Sequence, residues 1–504
     1  MNKITTSGNS FMDEAGRERI FNGINVCDKG SFNGKGRDFV HAWEPERFVR
    51  FQQAGMNVIR LGVTWEAIEP LPGLYNEAYL DALTGILDGC AEYGIYAYID
   101  MHQDLYAGFG DGPGDGAPEW ACLTGKHHYK KPRFIWGESY LLSKAVHTAF
   151  DNFWNNQTIN GKGLQDYYRN MWRHVTARLK DHPALLGFDL MNEPFIGSES
   201  KKAFKTVICA AIKTTLFDKR IPRKQLLKRA LKKDERIHAL DFYTPDIIKT
   251  IVSGAFPVVK KFEEGLYTRF LTGTAESVRE VTPDGIFFLE HCVFANAGIP
   301  SAVRPITPGG KREQNQAFAP HAYDLMVDTP YYKYANNERV AAIFAQRKAE
   351  QDSTMDMPVL VGEWGGNSEG TEWLPHVEFL LSLFDRYQWS HTYWCYYDGI
   401  LDSPLMGVLR RPYPRAVTGN ILSYAHDRDE NTFTLTYRQE KTYDVHTEIY
   451  AHLPVESVET DGEYTLTPLN ETTSIINVAT GEGLHTVTVR FAGGGFSYRS
   501  AGKQ

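Results

Sequence analysis

The chain has 504 residues, of which 42% are hydrophobic and 23% are charged. These proportions are typical of a globular protein, and the length allows a large core and a second domain. The net charge of −8 argues against nucleic acid as a general partner, because phosphate backbones attract basic surfaces.

Strand-like runs alternate with helical patterns along most of the chain. Helices are predicted at 45–54, 77–93 and 164–180, the last with apolar residues at amphipathic spacing. Strands are predicted at 19–26, 57–62, 94–101, 185–191, 285–290, 317–323, 359–362 and 391–397. Strand–helix alternation repeated eight times predicts a (β/α)8 TIM barrel.

Two connections are too long to be simple turns. They are residues 106–163, after the third strand, and 197–284, after the fourth, and we expect both to shape the cleft at the catalytic face. Beyond residue 415, runs that alternate polar and apolar residues predict a small antiparallel β-sandwich. The predicted organisation is a barrel over 1–415, with a helical basic insertion at about 197–284, and a C-terminal β-sandwich over 416–504.

Two apolar runs of strand length, 188–194 and 358–366, each contain a glutamate near the end. Glu193 lies between an asparagine and a proline, and Glu363 lies between a glycine and a tryptophan. The C-terminal ends of barrel strands carry the chemistry of this fold. Two carboxylates on separate strands suit glycoside hydrolysis, which needs a proton donor and a nucleophile or base. The alternative for Glu193 is a capping carboxylate before Pro194.

These runs, together with four other strings, resemble glycoside hydrolase family 5, a retaining family on the (β/α)8 fold. Within that family the chain resembles the endoglycoceramidases and their glycosylceramidase relatives, over the barrel and the trailing sandwich. The strings are Asn25-Val-Cys-Asp-Lys29, Arg60-Leu-Gly-Val-Thr-Trp-Glu66, Asp100-Met-His-Gln-Asp104, Met191-Asn-Glu-Pro194, His321-Ala-Tyr323 and Gly362-Glu-Trp-Gly365.

The resemblance implies a role for each matching residue. Glu193 corresponds to the general acid/base and Glu363 to the nucleophile. Arg60 and Tyr323 match the positions that hold the nucleophile, and for Arg60 a structural ion pair is the alternative. Asn192 matches the residue that bonds the sugar 2-hydroxyl, a contact that strengthens in the transition state.

The resemblance also implies a set of residues that bind the sugar. His102 and Asp104 are expected to contact hydroxyls at the innermost subsite, with Lys29 beside them. Trp394 matches the tryptophan under the sugar ring, and His321 belongs to the same substrate-binding set. The alternatives are a loop network for His102 and Asp104, a solvated lysine and a core tryptophan. No cofactor and no metal ion are implied.

Residues 201–236 carry thirteen lysines and arginines against three acidic residues. Apolar residues are interleaved with these charges, a pattern typical of a helix that lies on a membrane surface. A solvated helical hairpin packed on the barrel has the same pattern. The sequence therefore leaves open whether this stretch makes a peripheral membrane contact.

The function predicted from these features is a retaining β-glycosidase that hydrolyses the β-linkage between a sugar and ceramide in glycosphingolipids. One alternative is a family 5 β-glycosidase acting on steryl, flavonoid or oligosaccharide glycosides. A more distant alternative is a barrel that binds sugar without turnover. The expected partner is a glycolipid or other β-glycoside substrate. We expect a cytoplasmic location, because the N-terminus has no apolar signal core, unless a signal segment has been removed.

Overall fold

The computed structural model describes residues 1–34, 36–39, 43–133, 135–232 and 235–493. Lys233 and Asp234, which belong to the basic stretch at 201–236, lie outside these residues.

Eight parallel strands form the predicted barrel. The strands are β1 Asn22–Cys27, β2 Val58–Thr64, β3 Tyr96–His102, β4 Leu185–Asp189, β5 Ile286–Leu289, β6 Gln316–Phe318, β7 Leu360–Val361 and β8 Ser390–Tyr393. They pair in the order β6-β5-β4-β3-β2-β1-β8-β7, and a parallel bridge between Phe318 and Val359 joins the two outer strands. The (β/α)8 fold class is confirmed.

The strands are apolar on both faces because each face is covered. Val58 and Tyr98 belong to the cluster that fills the barrel interior, whereas Ile59, Leu61 and Ile99 belong to the layer between strands and helices. This alternation follows from the two-residue period of a strand. The same period turns the neighbouring Arg60 inward, toward the catalytic end of the barrel.

The helices surround the strands, and the three helices predicted from the sequence are confirmed. The helices are α1 Pro45–Gln53, α2 Trp65–Ile68, α3 Glu77–Glu92, α4 Glu138–Leu142, α5 Lys144–Trp154, α6 Leu164–Leu179, α7 Ser200–Phe217, α8 Arg223–Leu231, α9 Pro245–Val252, α10 Phe256–Phe262, α11 Thr268–Arg279, α12 Asn337–Glu350, α13 Leu374–Tyr387 and α14 Met406–Leu409. The insertion after β4 is therefore mostly helical, as predicted. Among the described residues, none of the helices is both long and apolar enough to cross a membrane.

The C-terminal antiparallel sandwich is confirmed, and it includes strands from the N-terminus. One sheet contains Ile4–Ser7, Ser10–Asp13, Arg17–Arg19, Tyr413–Thr418, Thr447–Ala451, Ser474–Ala479 and Glu463–Pro468. The other contains Asn420–Asp427, Thr432–Gln439, Gly483–Phe491 and Val455–Glu459.

The predicted first strand, 19–26, differs from the structure. Arg19 pairs antiparallel with Ala416 in the sandwich, and the barrel strand begins only at Asn22. The chain crosses between the two domains at this point, so one apolar run serves two sheets. The ion pairs of Arg17 with Asp13 and Glu448 support the strand that joins the sandwich.

Candidate active site

Glu363 follows β7 and is held by two hydrogen-bond donors. Arg60 Nη1 donates to Oε1 over 2.7 Å, and the Tyr323 hydroxyl donates to Oε2 over 2.7 Å. Burial and the neighbouring Glu363 carboxylate raise the pKa of Tyr323, so the phenol keeps its proton and remains a donor. The two donors fix the orientation of the carboxylate.

Glu193 follows β4 and has a left-handed backbone, with φ of 42°. This conformation is costly for a residue with a side chain and needs support from its surroundings. The Glu193 N–H donates to Glu290 Oε2 over 2.7 Å, and Gln103 Nε2 donates to the Glu193 carbonyl over 3.0 Å. These two bonds hold the backbone so that the carboxyl group faces the pocket.

Glu193 and Glu363 both line a pocket of about 470 Å³ at the C-terminal end of the barrel. A carboxyl oxygen of each lies within 4.8 Å of the other. Retaining glycosidases place the two groups about 5–5.5 Å apart, whereas inverting enzymes leave room for a water molecule at about 6.5–9.5 Å. The two carboxyl groups here are close enough to act on the same glycosidic bond.

Two side chains form hydrogen bonds with the carboxyl group of Glu193. His321 Nδ1 lies 2.9 Å from Oε1, and Asn296 Nδ2 donates to the same oxygen. Burial raises the pKa of Glu193, the hydrogen bond with His321 opposes the shift, and the Glu363 carboxylate adds to it. The resulting pKa is about 7. Glu193 therefore exchanges a proton near neutral pH, as a general acid/base must.

The pH profile of turnover follows from this pKa. We expect kcat/KM to fall about tenfold per pH unit above pH 7, because the free enzyme loses the Glu193 proton. In a Glu363→Gln variant, removal of the neighbouring negative charge should lower the Glu193 pKa. ¹³C NMR titration of labelled glutamate carboxyls checks this shift. An alkaline limb that stays flat to pH 9, or an unchanged Glu193 pKa in the variant, would contradict the assignment.

Arg60 lies beneath the two carboxylates and connects them to the barrel interior. Its side chain is fully buried, and its Nη2 contacts Asp100 and Asp189 at 3.0 Å and also Glu290. Nη2 donates to Asn192 Oδ1 over 2.9 Å as well. Burial opposes the charge, but the surrounding carboxylates outweigh it and raise the pKa of Arg60 well above its usual range. Arg60 thus acts behind the pocket wall, through Glu363 and Asn192.

His321 also lies behind the carboxyl groups and is 1% exposed. Its Nδ1 faces Glu193, and its Nε2 lies 3.3 Å from Glu290 Oε1. Although burial lowers the pKa of His321, Glu290 and Glu363 raise it well above its usual range. The protonated imidazole is therefore a donor to Glu193. Of the predicted site residues, only Arg60 and His321 do not line the pocket.

One wall of the pocket is polar and contains the predicted sugar-binding residues. Trp394 stacks on His102 with a ring distance of 5.3 Å, and Lys29 Nζ lies 5.1 Å from the Trp394 ring. Lys29 also forms ion pairs with Asp104 and Asp115. His102 Nδ1 pairs with Asp100, whereas its buried Nε2 has no hydrogen-bond partner among the described residues. This nitrogen lies 3.7 Å from Asp104 Oδ2.

Apolar side chains also line the pocket. They include Ile135, Val293 and Leu325, and Leu325 also lines a small groove between α9 and α12. Ile248 and Ile343 line this groove from the two helices. Ile135, from the first long connection, lines the pocket, whereas α9, from the second, lines only the groove beside it. That the second connection shapes the catalytic cleft stays a prediction.

The structure brings together three groups of His, Asp and Glu side chains with metal-like spacing. One surrounds Lys29, one surrounds Arg60, and the third is Glu193 and Glu363 with His321. In the first two groups, the side chains of Lys29 and Arg60 form ion pairs with the acidic residues. The acidic residues of these two groups therefore have positively charged partners within the protein.

Three positioning residues were missed by the sequence analysis: Glu290, Asn296 and Gln103. Glu290 had a signal, because it ends the apolar run of β5 just as Glu193 and Glu363 end theirs. It is buried and does not line the pocket. Gln103 lies within the string Asp100-Met-His-Gln-Asp104, which gave it a signal but no role, whereas Asn296 had no local signal that separates it from ordinary loop residues.

A parallel barrel with two pocket-lining glutamates beyond its fourth and seventh strands defines the protein as a glycoside hydrolase. Residues 12–218 match the family described as "Cellulase (glycosyl hydrolase family 5)", and residues 411–489 match "Glycoside hydrolase family 5 C-terminal domain". The chain belongs to glycoside hydrolase family 5.

Within the family, the chain is similar to proteins named endoglycoceramidase and glucosylceramidase. An endoglycoceramidase of Cyanea nozakii is 33% identical over 211 residues, which are 37% of this chain and 40% of that protein. A glucosylceramidase of Rhizopus delemar is 30% identical over 260 residues, 41% of this chain and 38% of that protein. These alignments therefore span about two fifths of each relative. The structure of endo-glycoceramidase II from Rhodococcus sp. in a cellobiose-like imidazole complex superimposes with a TM-score of 0.72 at 25% identity, covering 97% of this chain and all of that one.

Proposed function

We propose that the chain is a retaining β-glycosidase that hydrolyses the bond between a sugar and the lipid aglycone of a glycosphingolipid. The observation that carries the proposal is the division of the pocket around the two glutamates. The polar wall with Lys29, His102 and Trp394 suits a sugar, and we assign the lipid chain to the neighbouring groove, with which the pocket shares Leu325.

The first step transfers the sugar to the protein. Glu193 gives its proton to the glycosidic oxygen, and the Glu363 carboxylate attacks the anomeric carbon from the opposite face. The bond to the aglycone breaks, and a covalent glycosyl ester of Glu363 forms. Arg60 and Tyr323 orient the attacking carboxylate before the reaction, so that little reorganisation is needed in the transition state.

The second step releases the sugar. Glu193, now a carboxylate, takes a proton from a water molecule that attacks the anomeric carbon. The ester bond breaks, Glu363 is regenerated, and the sugar leaves with the configuration that it had in the substrate. The pKa of about 7 allows Glu193 to act as the acid in one step and the base in the next.

The aglycone is assigned to the groove by the position of the proton donor. Glu193 accepts a hydrogen bond from Asn296, and the next residue, Ala297, lines both the pocket and the groove. The departing oxygen must lie near Glu193, and we therefore propose that the leaving group extends past Ala297 toward the groove. The polar wall then holds the sugar on the other side of the bond.

A substrate panel tests the proposal. We expect hydrolysis of glucosylceramide, galactosylceramide or lactosylceramide in detergent, with kcat/KM at least tenfold above that for cellobiose, because only the lipids bury apolar surface in the groove. Chromatography with mass spectrometry identifies free ceramide and the released sugar. The matched variant Ile248→Asp, in the groove, should lose activity on ceramide substrates and keep activity on a nitrophenyl glycoside.

A preference for cellobiose or longer oligosaccharides over every ceramide substrate would contradict the lipid aglycone. A preference for a steryl or flavonoid glycoside would support β-glycosidase activity and contradict ceramide as the aglycone. Sugar binding without any turnover on the panel would mean a non-catalytic barrel.

A further inference from the structure

Helix α7 in the insertion exposes a stripe of large apolar side chains. Phe204, Ile208, Ile212 and Leu216 recur at four-residue spacing and are 39–56% exposed. Residues at this spacing lie on one face of a helix, and the opposite face of α7 contains the buried Ala203. The stripe therefore faces solvent along the length of the helix.

Helix α8 exposes large apolar side chains as well. Leu227 and Leu231 are 61% and 74% exposed, whereas the neighbouring Leu226 packs on a small core that contains Ile247 and Ile251. The hairpin thus has an apolar core of its own in addition to the outward residues. Seven of the 21 large apolar side chains that are exposed in the described part of the chain lie between residues 204 and 231. A hairpin adapted only to water would place polar residues there.

The charged side chains within α7 and α8 are all positive. Helices α7 and α8 contain no aspartate or glutamate. Lys205, Lys213, Lys224 and Lys228 are exposed, and none of them forms a salt bridge within the described ranges. Such lysines extend their apolar stems along the stripe and present the ammonium groups at its edge. The surface therefore combines apolar area with unpaired positive charge on a chain whose net charge is −8.

Helix α7 is a neighbour of the elements that line the two cavities. Helix α9 packs against α7, and its Ile248 and Val252 line the groove beside the pocket. Helix α4 also packs against α7 and exposes Leu142 at 75%. Ile135, which lines the pocket, is 44% exposed. The insertion that carries the stripe is therefore in contact with the wall of the groove.

We propose that the exposed faces of α7 and α8 form a docking face for the surface of an anionic lipid bilayer. The apolar stripe enters the boundary between head groups and acyl chains, and the lysines contact anionic head groups. Charge complementarity selects this occupant, because the same face of a second copy carries the same positive charge and repels it. The inference rests on the proposed function for its purpose, which is to let a glycolipid pass from the bilayer into the groove.

Vesicle flotation tests the docking face without any glycolipid. The full chain is mixed at low salt with vesicles of phosphatidylcholine alone or with 30 mol% phosphatidylserine. We expect the protein to float with the anionic vesicles and to bind neutral ones at least tenfold more weakly, and we expect 0.5 M salt to release it. Absence of flotation with anionic vesicles at low salt would overturn the proposal.

Two pairs of matched variants separate charge from apolar area. Lys205→Glu with Lys228→Glu should weaken binding to anionic vesicles at least tenfold, whereas Arg438→Glu with Arg490→Glu, on exposed sites of the C-terminal sheet, changes the net charge equally and should not. Ile208→Gln with Ile212→Gln should weaken binding in the same way, and Leu466→Gln with Leu484→Gln, also exposed in the sandwich, should not. Equal losses in the variants and their controls would overturn the assignment of this face.

The readouts distinguish this proposal from the proposed function. The four variants should hydrolyse a soluble nitrophenyl glycoside at the normal rate, because the changed residues do not line the pocket. A parallel loss on the soluble substrate would mean that the insertion supports the barrel, which overturns the docking face. Light scattering tests whether a second copy of the chain binds this face instead. If the protein self-associates as its concentration rises, does not bind vesicles, and loses the self-association in the Ile208→Gln, Ile212→Gln variant, the face is a protein interface and the proposal is overturned. Vesicle binding without glycolipid hydrolysis would uphold the docking face and reject only the function.

Discussion

A Glu363→Gln variant should lose about 10⁴-fold or more of the kcat for any glycoside, activated or not. The amide cannot attack the anomeric carbon, so neither the glycosyl ester nor the product forms. Substrate binding should persist, because Gln occupies the same volume and the sugar wall with Lys29, His102 and Trp394 is unchanged. Turnover of dinitrophenyl and ceramide glycosides, with isothermal calorimetry for binding, measures both effects.

The loss of activity supports Glu363 as the nucleophile only if the variant remains folded. Circular dichroism and the thermal midpoint should show a folded protein, because Arg60 keeps the carboxylates of Asp100, Asp189 and Glu290 as partners. More than a tenth of the normal kcat in a folded Glu363→Gln protein would remove Glu363 as the nucleophile. Glu290 would then be the next carboxylate to examine, although it lies behind the pocket wall.

A Glu193→Ala variant should lose activity according to the leaving group. Ceramide glycosides should lose roughly 10²–10⁴-fold, because an alkoxide leaves only when it is protonated. A dinitrophenyl glycoside departs without protonation, so its first step should be nearly normal and the glycosyl-enzyme should accumulate. Azide should then accelerate turnover by attacking this intermediate and should give a β-glycosyl azide from a β-glycoside. Stopped-flow kinetics and NMR of the azide product measure these outcomes.

The matched control for Glu193→Ala is Asn296→Ala, which removes a hydrogen bond to Glu193 and keeps the carboxyl group. It should change the pH profile and need no azide. If azide instead gave an α-glycosyl azide with Glu193→Ala and a β-glycosyl azide with Glu363→Ala, the roles of the two residues would be exchanged.

The barrel was predictable from the sequence because its signal is local. Each strand is an apolar run of strand length, and each covering helix has an apolar stripe, as in 57–62 and 77–93. The assignment of Glu193 and Glu363 rested on the same locality, since strand ends meet at one rim of a barrel. The structure places both glutamates at the pocket, and their roles stay predictions until the variants are measured.

The remaining features depend on contacts between distant segments. No local pattern distinguishes Glu290 from Glu193 and Glu363, because all three end apolar strands; only burial behind the pocket separates it. The pairing of Arg19 with Ala416 crosses nearly four hundred residues of chain and leaves no trace in either segment alone. Likewise, the amphipathic pattern at 201–236 predicts helices but does not say which apolar residues face outward.

Mass spectrometry of a trapped intermediate tests the central claim most directly. A 2-deoxy-2-fluoro β-glycoside with a dinitrophenyl leaving group slows both steps but keeps the first faster than the second, so the glycosyl-enzyme accumulates. After digestion, the account predicts one fluoroglycosyl group on the peptide that contains Glu363, with loss of activity that returns as the adduct hydrolyses. Turnover of the same reagent without any adduct, or an adduct on Glu193 or Glu290, would contradict the double displacement proposed here.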